Sequence, residues 1–162
     1  MLHLIPAPLH RSLLRLAHVL RCGWWRLRKP RIHGCRVLAL DGEGRVLLVR
    51  QSYGSGEWMP PGGGVGRREA AEAAARRELF EETGCRLSDP REVAEVVENL
   101  HGAGNVVHVV VGGAVGGARA DMREVIETGF FAPDRLPAPM AGTLERDIPD
   151  WIAAYRRHNK LS

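Results

Sequence analysis

The chain has 162 residues, of which 44% are hydrophobic and 26% charged. That length suits one compact domain with its own core, and no apolar run approaches the roughly 20 residues that cross a bilayer. Three cysteines, an odd number without metal-ligand spacing, indicate reduced thiols. We therefore expect a single domain in the cytoplasm.

The N-terminal segment, residues 1–32, differs from the rest in charge. The first 40 residues hold eight Lys or Arg and no acid, whereas the remainder carries 15 bases against 19 acids. Apolar residues from Leu13 to Leu27 recur at spacings of three and four, which predicts an amphipathic helix that Pro30 ends. We expect this extension to pack on the domain or on a second subunit, as in a homodimer. Contact with an anionic membrane or with nucleic-acid phosphates are the alternatives.

The pattern changes after residue 33. Arg36–Asp41 and Arg45–Gln51 are predicted strands, and the Asp-Gly between them indicates a hairpin. Residues 52–67 are rich in Gly and Pro and predict a loop. A helix is predicted from about Arg68 to Thr83, with Gly84 as its C-cap.

The second half of the chain predicts more strands and a last helix. Val93–Leu100 and Val106–Val115 have strand character, with His101–Asn105 as the turn between them. Phe130-Phe131 would lie on a last short strand, and Leu144–Arg157 predict a C-terminal helix with one apolar stripe. Strands on both sides of a central helix imply an α/β sandwich.

Three glutamates share one face of the central helix. Glu78, Glu81 and Glu82 stand at positions i, i+3 and i+4. Like-charge neighbours cost a few tenths of a kcal/mol per pair, and a hard divalent cation such as Mg²⁺, which takes oxygen ligands, relieves that repulsion. A solvated charged face is the alternative. The preceding loop favours the metal, because two prolines and three glycines in residues 60–64 let bare backbone groups approach a ligand.

The segment 63–85 resembles the Nudix box, G-x5-E-x7-R-E-U-x-E-E-x-G-U, in which U is a bulky aliphatic residue. Cys85 departs from the last U. The similarity covers roughly residues 34–140 and implies that residues 33–160 form a Nudix hydrolase domain. Its fold class would be a Nudix-type α/β/α sandwich with a central mixed β-sheet. The matching fixed positions are Gly63, Glu69, Arg77, Glu78, Leu79, Glu81, Glu82 and Gly84.

The resemblance implies a metal site and its ligands. Glu81 and Glu82 would bind Mg²⁺ or Mn²⁺ together with the carbonyl of Gly62. Glu78 would be a further ligand or would help to deprotonate water. Family members recruit one more carboxylate from a later loop, for which Glu124 is the first candidate. A plain surface glutamate is the alternative there.

The same resemblance implies supporting roles. Arg77 would orient the catalytic glutamates through an ion pair, with Glu69 as its partner. Gly63, Glu69 and Gly84 would be structural parts of the motif.

Candidate substrate-binding residues lie around the predicted cleft mouth. Arg50, Tyr53 and Trp58 could stack on a base or pair with it, although Trp58 could equally be a packing residue. Glu127 is the second candidate for the later-loop carboxylate and a substrate-binding candidate. His101 and His108 could approach substrate phosphates or be ordinary turn or sheet residues.

The expected reaction is attack of water on a diphosphate linkage, giving a monophosphate and a second phosphorylated product. Markers of ADP-ribose, diadenosine polyphosphate and NADH hydrolases are missing from the sequence. A nucleoside triphosphate or a nucleoside diphosphate-X compound therefore stays open as the small-molecule substrate. One alternative is a nucleotide-sensing module without catalysis, which the intact set of box glutamates disfavours. The other is a pyrophosphohydrolase of RNA 5′ ends, which would draw on the basic extension.

Overall fold

The structure, a computed structural model, describes residues 32–52, 56–100, 103–122 and 124–159. No helix within these ranges is long and apolar enough to span a membrane. The predicted helix of the N-terminal extension lies outside the described residues. The described elements are β1 (Ile32–Leu40), β2 (Val46–Gln51), β3 (Trp58–Met59), β4 (Gly62–Gly64), α1 (Ala71–Thr83), β5 (Arg86–Leu100), β6 (Ala103–Val115), β7 (Val125–Phe131) and α2 (Leu144–Asn159).

The strands form one mixed sheet. Its order is β3-β2-β1-β6-β5, with β4 paired to β1 and β7 paired to β2. β1 and β6 run parallel, and the other pairs are antiparallel. β1 meets β2 only near Leu40, and its residues Gly34, Cys35 and Arg36 pair instead with β4. The glycine strand β4 thus lies beside the first half of β1.

The two helices cover opposite faces of this sheet. Successive side chains of a strand point to opposite faces, and β1 shows this clearly. Cys35 and Val37 join the core cluster under α1, whereas Leu38 and Leu40 join the cluster under α2. Both clusters are shielded from solvent: Val37 in the first and Leu38 in the second are 0% exposed. The predicted α/β/α sandwich with a mixed sheet is therefore confirmed.

Most predicted elements are confirmed, with shifted ends. The first hairpin forms, and α2 begins at the predicted residue, Leu144. Helix α1 ends as predicted at Gly84, whose φ of 68° is the left-handed cap conformation. It begins at Ala71, three residues later than predicted, because residues 66–69 form a turn closed by the Glu69 N–H on the Gly66 carbonyl.

Two predictions about irregular structure are wrong. The predicted loop 52–67 contains the short strands β3 and β4, since pairing with β2 and β1 overrides the poor strand propensity of glycine. The strand expected from Val106 begins at Ala103, so the turn predicted at His101–Asn105 is wrong for residues 103–105. Residues 101 and 102 lie outside the described residues. The strand expected from Val93 begins at Arg86.

Candidate functional site

Arg77 is the centre of the polar contacts of the Nudix-box segment. Its guanidinium donates Nε to Glu69 Oε1 and Nη2 to Glu69 Oε2, both at 3.0 Å. Its Nη1 donates to Glu78 Oε1 at 2.7 Å and lies 3.5 Å from Glu81 Oε2. Nη2 also reaches the carbonyl oxygen of Gly64 at 3.0 Å. Hydrogen bonds to Glu69 and then to Glu78 raise the pKa of Arg77, so one cation holds three carboxylates in place.

Glu69 ties the turn before α1 to the helix. Besides Arg77, it accepts a hydrogen bond from the Gly66 N–H at 2.9 Å. The hydrogen bonds from Arg77 and Gly66 hold the pKa of Glu69 below its ordinary value. Both carboxylate oxygens of Glu69 are thus engaged in hydrogen bonds within the motif.

The environment of Glu82 contrasts with the ion-paired environment of Glu69. Its side chain is 4% exposed, and its carboxylate accepts one long bond, 3.3 Å, from the Gly62 N–H. Burial raises the pKa of Glu82 to about 8, and repulsion by Glu78, Glu124 and Asp121 adds to the shift. Arg77 forms ion pairs with Glu69, Glu78 and Glu81. No ion pair among the described residues includes Glu82.

The glycines of β4 let the backbone lie between β1 and the glutamates of α1. A Cβ on Gly62 would lie 2.1 Å from the Cys35 carbonyl oxygen, and a Cβ on Gly63 would lie 2.4 Å from the Glu78 carboxyl carbon. A side chain fits at neither position without displacing a neighbour. The close approach of Gly62 and Gly63 to the acidic face of α1 therefore depends on glycine.

The loop before β7 adds acidic groups to this face. Asp121 Oδ1 accepts the N–H groups of Glu124 at 3.0 Å and Val125 at 2.8 Å. The Glu124 carbonyl accepts the Ser52 N–H at 2.7 Å, which attaches the loop to the end of β2. Both Asp121 and Glu124 are near enough to raise the pKa of Glu82.

This acidic face fits a divalent cation. A buried carboxylate without a cationic partner is costly, and here further carboxylates add repulsion to the cost of burial. Carboxylate and carbonyl oxygens are the ligands that Mg²⁺ and Mn²⁺ prefer. Glu78, Glu82, Glu124 and the backbone of Gly62 are the described groups that come together here, while Glu81 is exposed at its edge beside Arg77.

The predicted substrate-binding residues come together in part. Arg50 donates to Glu127 at 2.9 Å and to the Gly56 carbonyl at 2.9 Å, and its guanidinium lies 5.8 Å from the Trp58 ring centre. Trp58 is 7% exposed and packs edge-on against Phe131 at 5.0 Å. Its position supports the packing alternative, because the ring belongs to the core under α2. Tyr53 and His101 lie outside the described residues.

A cavity of about 590 Å³ opens beside the outer surface of α1. Phe80 is 52% exposed there, an unusual position for an aromatic ring. Three arginines accompany it, so this part of the surface combines positive charge with an apolar face. The lining residues are Ala73, Arg76, Arg77, Phe80, Arg86 and Leu87.

A second group of metal-ligating atoms lies outside the Nudix-box segment. Glu92, Glu95 and His108 each offer one ligand atom, and these atoms lie within 4.8 Å of one another. The group belongs to β5 and β6, so it is separate from the glutamates of α1.

A family model described as the NUDIX domain matches residues 30–153. The chain belongs to the NUDIX domain family. The match includes every fixed position of the Nudix box and confirms the family predicted from the sequence.

Curated relatives agree with this family. A candidate 8-oxo-dGTP diphosphatase of Bacillus subtilis is 33% identical over 119 residues, which cover 73% of this chain and 78% of that protein. The RNA pyrophosphohydrolase of Teredinibacter turnerae is 43% identical over 53 residues, 33% of this chain and 31% of the relative. The chain thus spans about a third of the length of the RNA pyrophosphohydrolase it matches. The predicted enzyme class, a hydrolase acting on acid anhydrides, is confirmed at the level of the family by these names.

Solved structures agree with the Nudix-type fold. The MutT NUDIX hydrolase from Burkholderia pseudomallei has a TM-score of 0.65 and 26% identity, and the match covers 77% of this chain and 98% of that one. The MutT protein from Methanosarcina mazei has a TM-score of 0.60 and 28% identity, with 82% and 97% covered.

One acidic residue near the Nudix box was not predicted from the sequence. Asp121 stands in a loop without a spacing signal, and only the fold brings it near Glu82. Glu124, which the sequence did single out, lies in the same loop. In the sequence, Asp121 and Glu124 are simply two acids shortly before β7. Such a pair occurs in surface loops as well as in sites.

Proposed function

We propose that this chain hydrolyses a diphosphate linkage in a nucleoside triphosphate or a nucleoside diphosphate-X compound, with Mg²⁺ or Mn²⁺ bound. The observation that supports this most is the buried Glu82 carboxyl, which has acidic neighbours and no cationic partner among the described residues. A purely structural helix would not need such a group. A cation bound there would neutralise it and use its oxygens as ligands.

The residues of the Nudix box have distinct tasks in this proposal. Glu78, Glu81, Glu82, Glu124 and the Gly62 carbonyl would hold the cation. When bound, the cation neutralises charge on the phosphate oxygens and lowers the pKa of water. Metal binding then requires loss of the proton that Glu82 keeps up to a pKa of about 8.

Glu78 and Glu82 are the two candidates for accepting a proton from the attacking water. A general base works best when its pKa lies near the working pH. The pKa of Glu82 is about 8 in the metal-free protein and would fall once its carboxylate binds the cation. Glu78 instead receives a 2.7 Å hydrogen bond from Arg77. Arg77 would therefore act as a positioning residue, which fixes the direction of Glu78 while it holds Glu69.

A nucleoside triphosphate is the first substrate to test. The Bacillus subtilis relative that covers most of this chain is a candidate 8-oxo-dGTP diphosphatase. The ion pair of Arg50 with Glu127 has exposed side chains, 37% and 51%, and offers both a donor and an acceptor to a base. Those two residues are thus kept as substrate-binding candidates.

The experiment compares wild type with Glu82→Gln in water labelled with ¹⁸O, over a panel of nucleoside triphosphates and nucleoside diphosphate-X compounds. Turnover should fall by orders of magnitude in the variant, and wild type should place the label in one phosphorylated product. Glu145→Gln, an acid of the first turn of α2, is the matched control. Equal turnover in Glu82→Gln and wild type would refute the proposal. Tight nucleotide binding without turnover by wild type would instead favour the sensing module.

RNA with a 5′-triphosphate is a second candidate substrate. The cavity beside α1 carries Arg76, Arg86 and the exposed Phe80, and arginines with an aromatic ring suit phosphates and a stacked base. Arg86→Ala should weaken RNA binding and reduce its salt dependence. Arg157→Ala, on α2 at the other face of the sheet, should leave both unchanged. Equal effects of the two variants would argue against this surface.

The cytoplasmic location and the contacts of residues 1–32 stay predictions. Cys35 and Cys85 are free and buried, which is compatible with a reducing compartment. Homodimer, membrane and nucleic-acid contacts of the extension are separate hypotheses that deletion of residues 1–32 would test.

A further inference from the structure

We propose a second metal site, selective for a late first-row divalent ion such as Zn²⁺ or Co²⁺, formed by Glu92, Glu95 and His108 and supported by His33. His108 Nδ1 lies 2.8 Å from Glu92 Oε1 and 3.9 Å from Glu95 Oε2. All three ligand atoms lie within 4.8 Å of one another. Tetrahedral ligands bound about 2.0–2.2 Å from one Zn²⁺ are separated by about 3.3–3.6 Å. The two distances from His108 Nδ1 lie on either side of that value, so side-chain adjustments would complete the site.

A β-bulge brings the two carboxylates to the same face. Residues three apart in a regular strand point to opposite faces, which would separate Glu92 from Glu95. The pairing of β5 with β6 shifts between Glu92 and Ala94, so that Glu92 pairs with Val110 and Glu95 with His108. The inserted residue restores both carboxylates to the face of His108. Bulges that redirect a side chain in this way are frequent beside functional sites.

His33 gives His108 a hydrogen-bond partner on the ring nitrogen that faces away from the carboxylates. The two imidazole rings stack at 5.7 Å with 20° between their planes, and His33 Nδ1 lies 3.4 Å from His108 Nε2. In the metal-free protein the 2.8 Å contact with Glu92 requires a proton on His108 Nδ1, because the carboxylate can only accept. A metal would take the place of that proton, and His108 could then donate an Nε2 proton to His33 Nδ1. Metal-bound histidines commonly donate their other ring N–H to such a partner. His33 is therefore a positioning residue, and His108 is the ligand.

The ligand types separate this site from the acidic face of α1. One imidazole and two carboxylates suit Zn²⁺, Co²⁺ or Ni²⁺, whereas the all-oxygen set of the Nudix box suits Mg²⁺ or Mn²⁺. Access is open, because the side chains of Glu92 and Glu95 are 34% and 57% exposed. His108 is less exposed, at 17%, and so is held in place by its surroundings.

The site lies on the face of the sheet that α1 covers. Cys35, which pairs with His108, belongs to the core cluster under α1. The His33 carbonyl also accepts the Val65 N–H at 2.9 Å, within the Nudix-box loop. A metal here would thus link β5 to β6 beside His33 of β1, close to that loop, and binding should stabilise the fold.

The test titrates the full chain with Co²⁺ in excess Mg²⁺, so that the oxygen ligands of the box are occupied, and follows the visible absorption of bound Co²⁺. Wild type should bind one more equivalent than His108→Ala. His33→Ala should keep the site with affinity weakened about 10- to 100-fold. His158→Ala, in the last turn of α2, is the matched control and should bind as wild type does.

Two results would overturn the proposal. One is equal stoichiometry and affinity of His108→Ala and wild type, which would leave an ordinary histidine–carboxylate contact. If His108→Ala fails to fold, Glu95→Gln decides, because this exposed side chain can change with little effect on packing; unchanged Co²⁺ affinity there would also refute the site. Because the readout is metal absorption, the result is independent of whether the chain hydrolyses a nucleotide.

Discussion

Arg77 and Glu69 meet in two parallel hydrogen bonds of 3.0 Å, although they are eight residues apart and Glu69 precedes the helix that carries Arg77. A guanidinium can pair with a carboxylate through two such parallel bonds, which adds geometric specificity to the ion pair. Glu69 also receives the Gly66 N–H, and Arg77 also reaches the Gly64 carbonyl. The pair thus joins the loop before α1 to the helix and fixes where Glu78 points.

Replacement of Arg77 by lysine should disable the site while the fold persists. An ammonium keeps the charge but cannot hold Glu69 with two parallel bonds and Glu78 at the same time. A misplacement of about 1 Å can cost about 100-fold in rate, so we expect kcat/KM to fall by about that factor. Arg68→Lys, an exposed neighbour in the preceding turn, is the control. Wild-type kcat/KM in Arg77→Lys would show that the geometry of the pair does not matter.

The metal-free protein should lose stability as the pH rises from about 4.5 to about 8. Burial raises the pKa of Glu82 from 4.5 to about 8, so in this window the folded state binds more protons than the unfolded state. The free energy of unfolding then falls with rising pH. Added Mg²⁺ should stabilise the protein more at pH 8 than at pH 6, because the bound cation replaces the proton.

Urea unfolding of chelator-treated protein across this pH range measures the effect. Other groups titrate as well, so the informative quantity is the difference between wild type and Glu82→Gln, whose amide does not ionise. That difference should grow toward pH 8 in favour of the variant. Parallel pH profiles for the two proteins would mean that Glu82 titrates normally.

Gly63→Ala should impair activity through Glu78. The new Cβ would lie 2.4 Å from the Glu78 carboxyl carbon, so the carboxylate or the strand must move. Overpacking of this kind costs about 1–3 kcal/mol, and displacement of Glu78 should lower kcat at least tenfold. Gly64→Ala is the matched control, since nothing lies within 4 Å of its Cβ. If both variants lose activity equally, the contact with Glu78 is not the cause.

The part of the site that was predictable from sequence is the part that is local. A helix places positions i, i+3 and i+4 on one face whatever surrounds it. The spacing of Glu78, Glu81 and Glu82 was therefore enough to predict that they share a face. The Glu69–Arg77 ion pair was expected from the family resemblance. It is also local, because Glu69 lies just before α1 and Arg77 lies within it. The C-terminal helix likewise follows from its own apolar periodicity.

The rest depends on register between distant strands. The group of Glu92, Glu95, His108 and His33 comes from three strands, and one bulge in β5 decides whether the two carboxylates share a face. A sequence pattern with a period of two predicts the opposite result. Asp121 comes near Glu82 only because backbone bonds attach its loop to the end of β2. Such pairings are set by the sheet as a whole.

Gly84→Ala should lower stability without affecting chemistry. Gly84 ends α1 at φ 68°, a conformation that costs alanine about 1 kcal/mol more than glycine, while its N–H still caps the Phe80 carbonyl at 2.8 Å. A Cβ there would meet nothing within 4 Å, so backbone strain is the only penalty. Asparagine tolerates this conformation better, and Gly84→Asn should lie between the two.

Thermal unfolding should therefore rank wild type above Gly84→Asn and Gly84→Ala last, with a loss of about 1 kcal/mol in the alanine variant. Gly117→Ala is the control, because it adds a Cβ in open space without a left-handed backbone. Turnover measured well below the melting temperature should equal that of wild type in all variants. A lower kcat in folded Gly84→Ala would mean that the last glycine of the Nudix box also positions Glu81 or Glu82, since both lie in the turn that it ends.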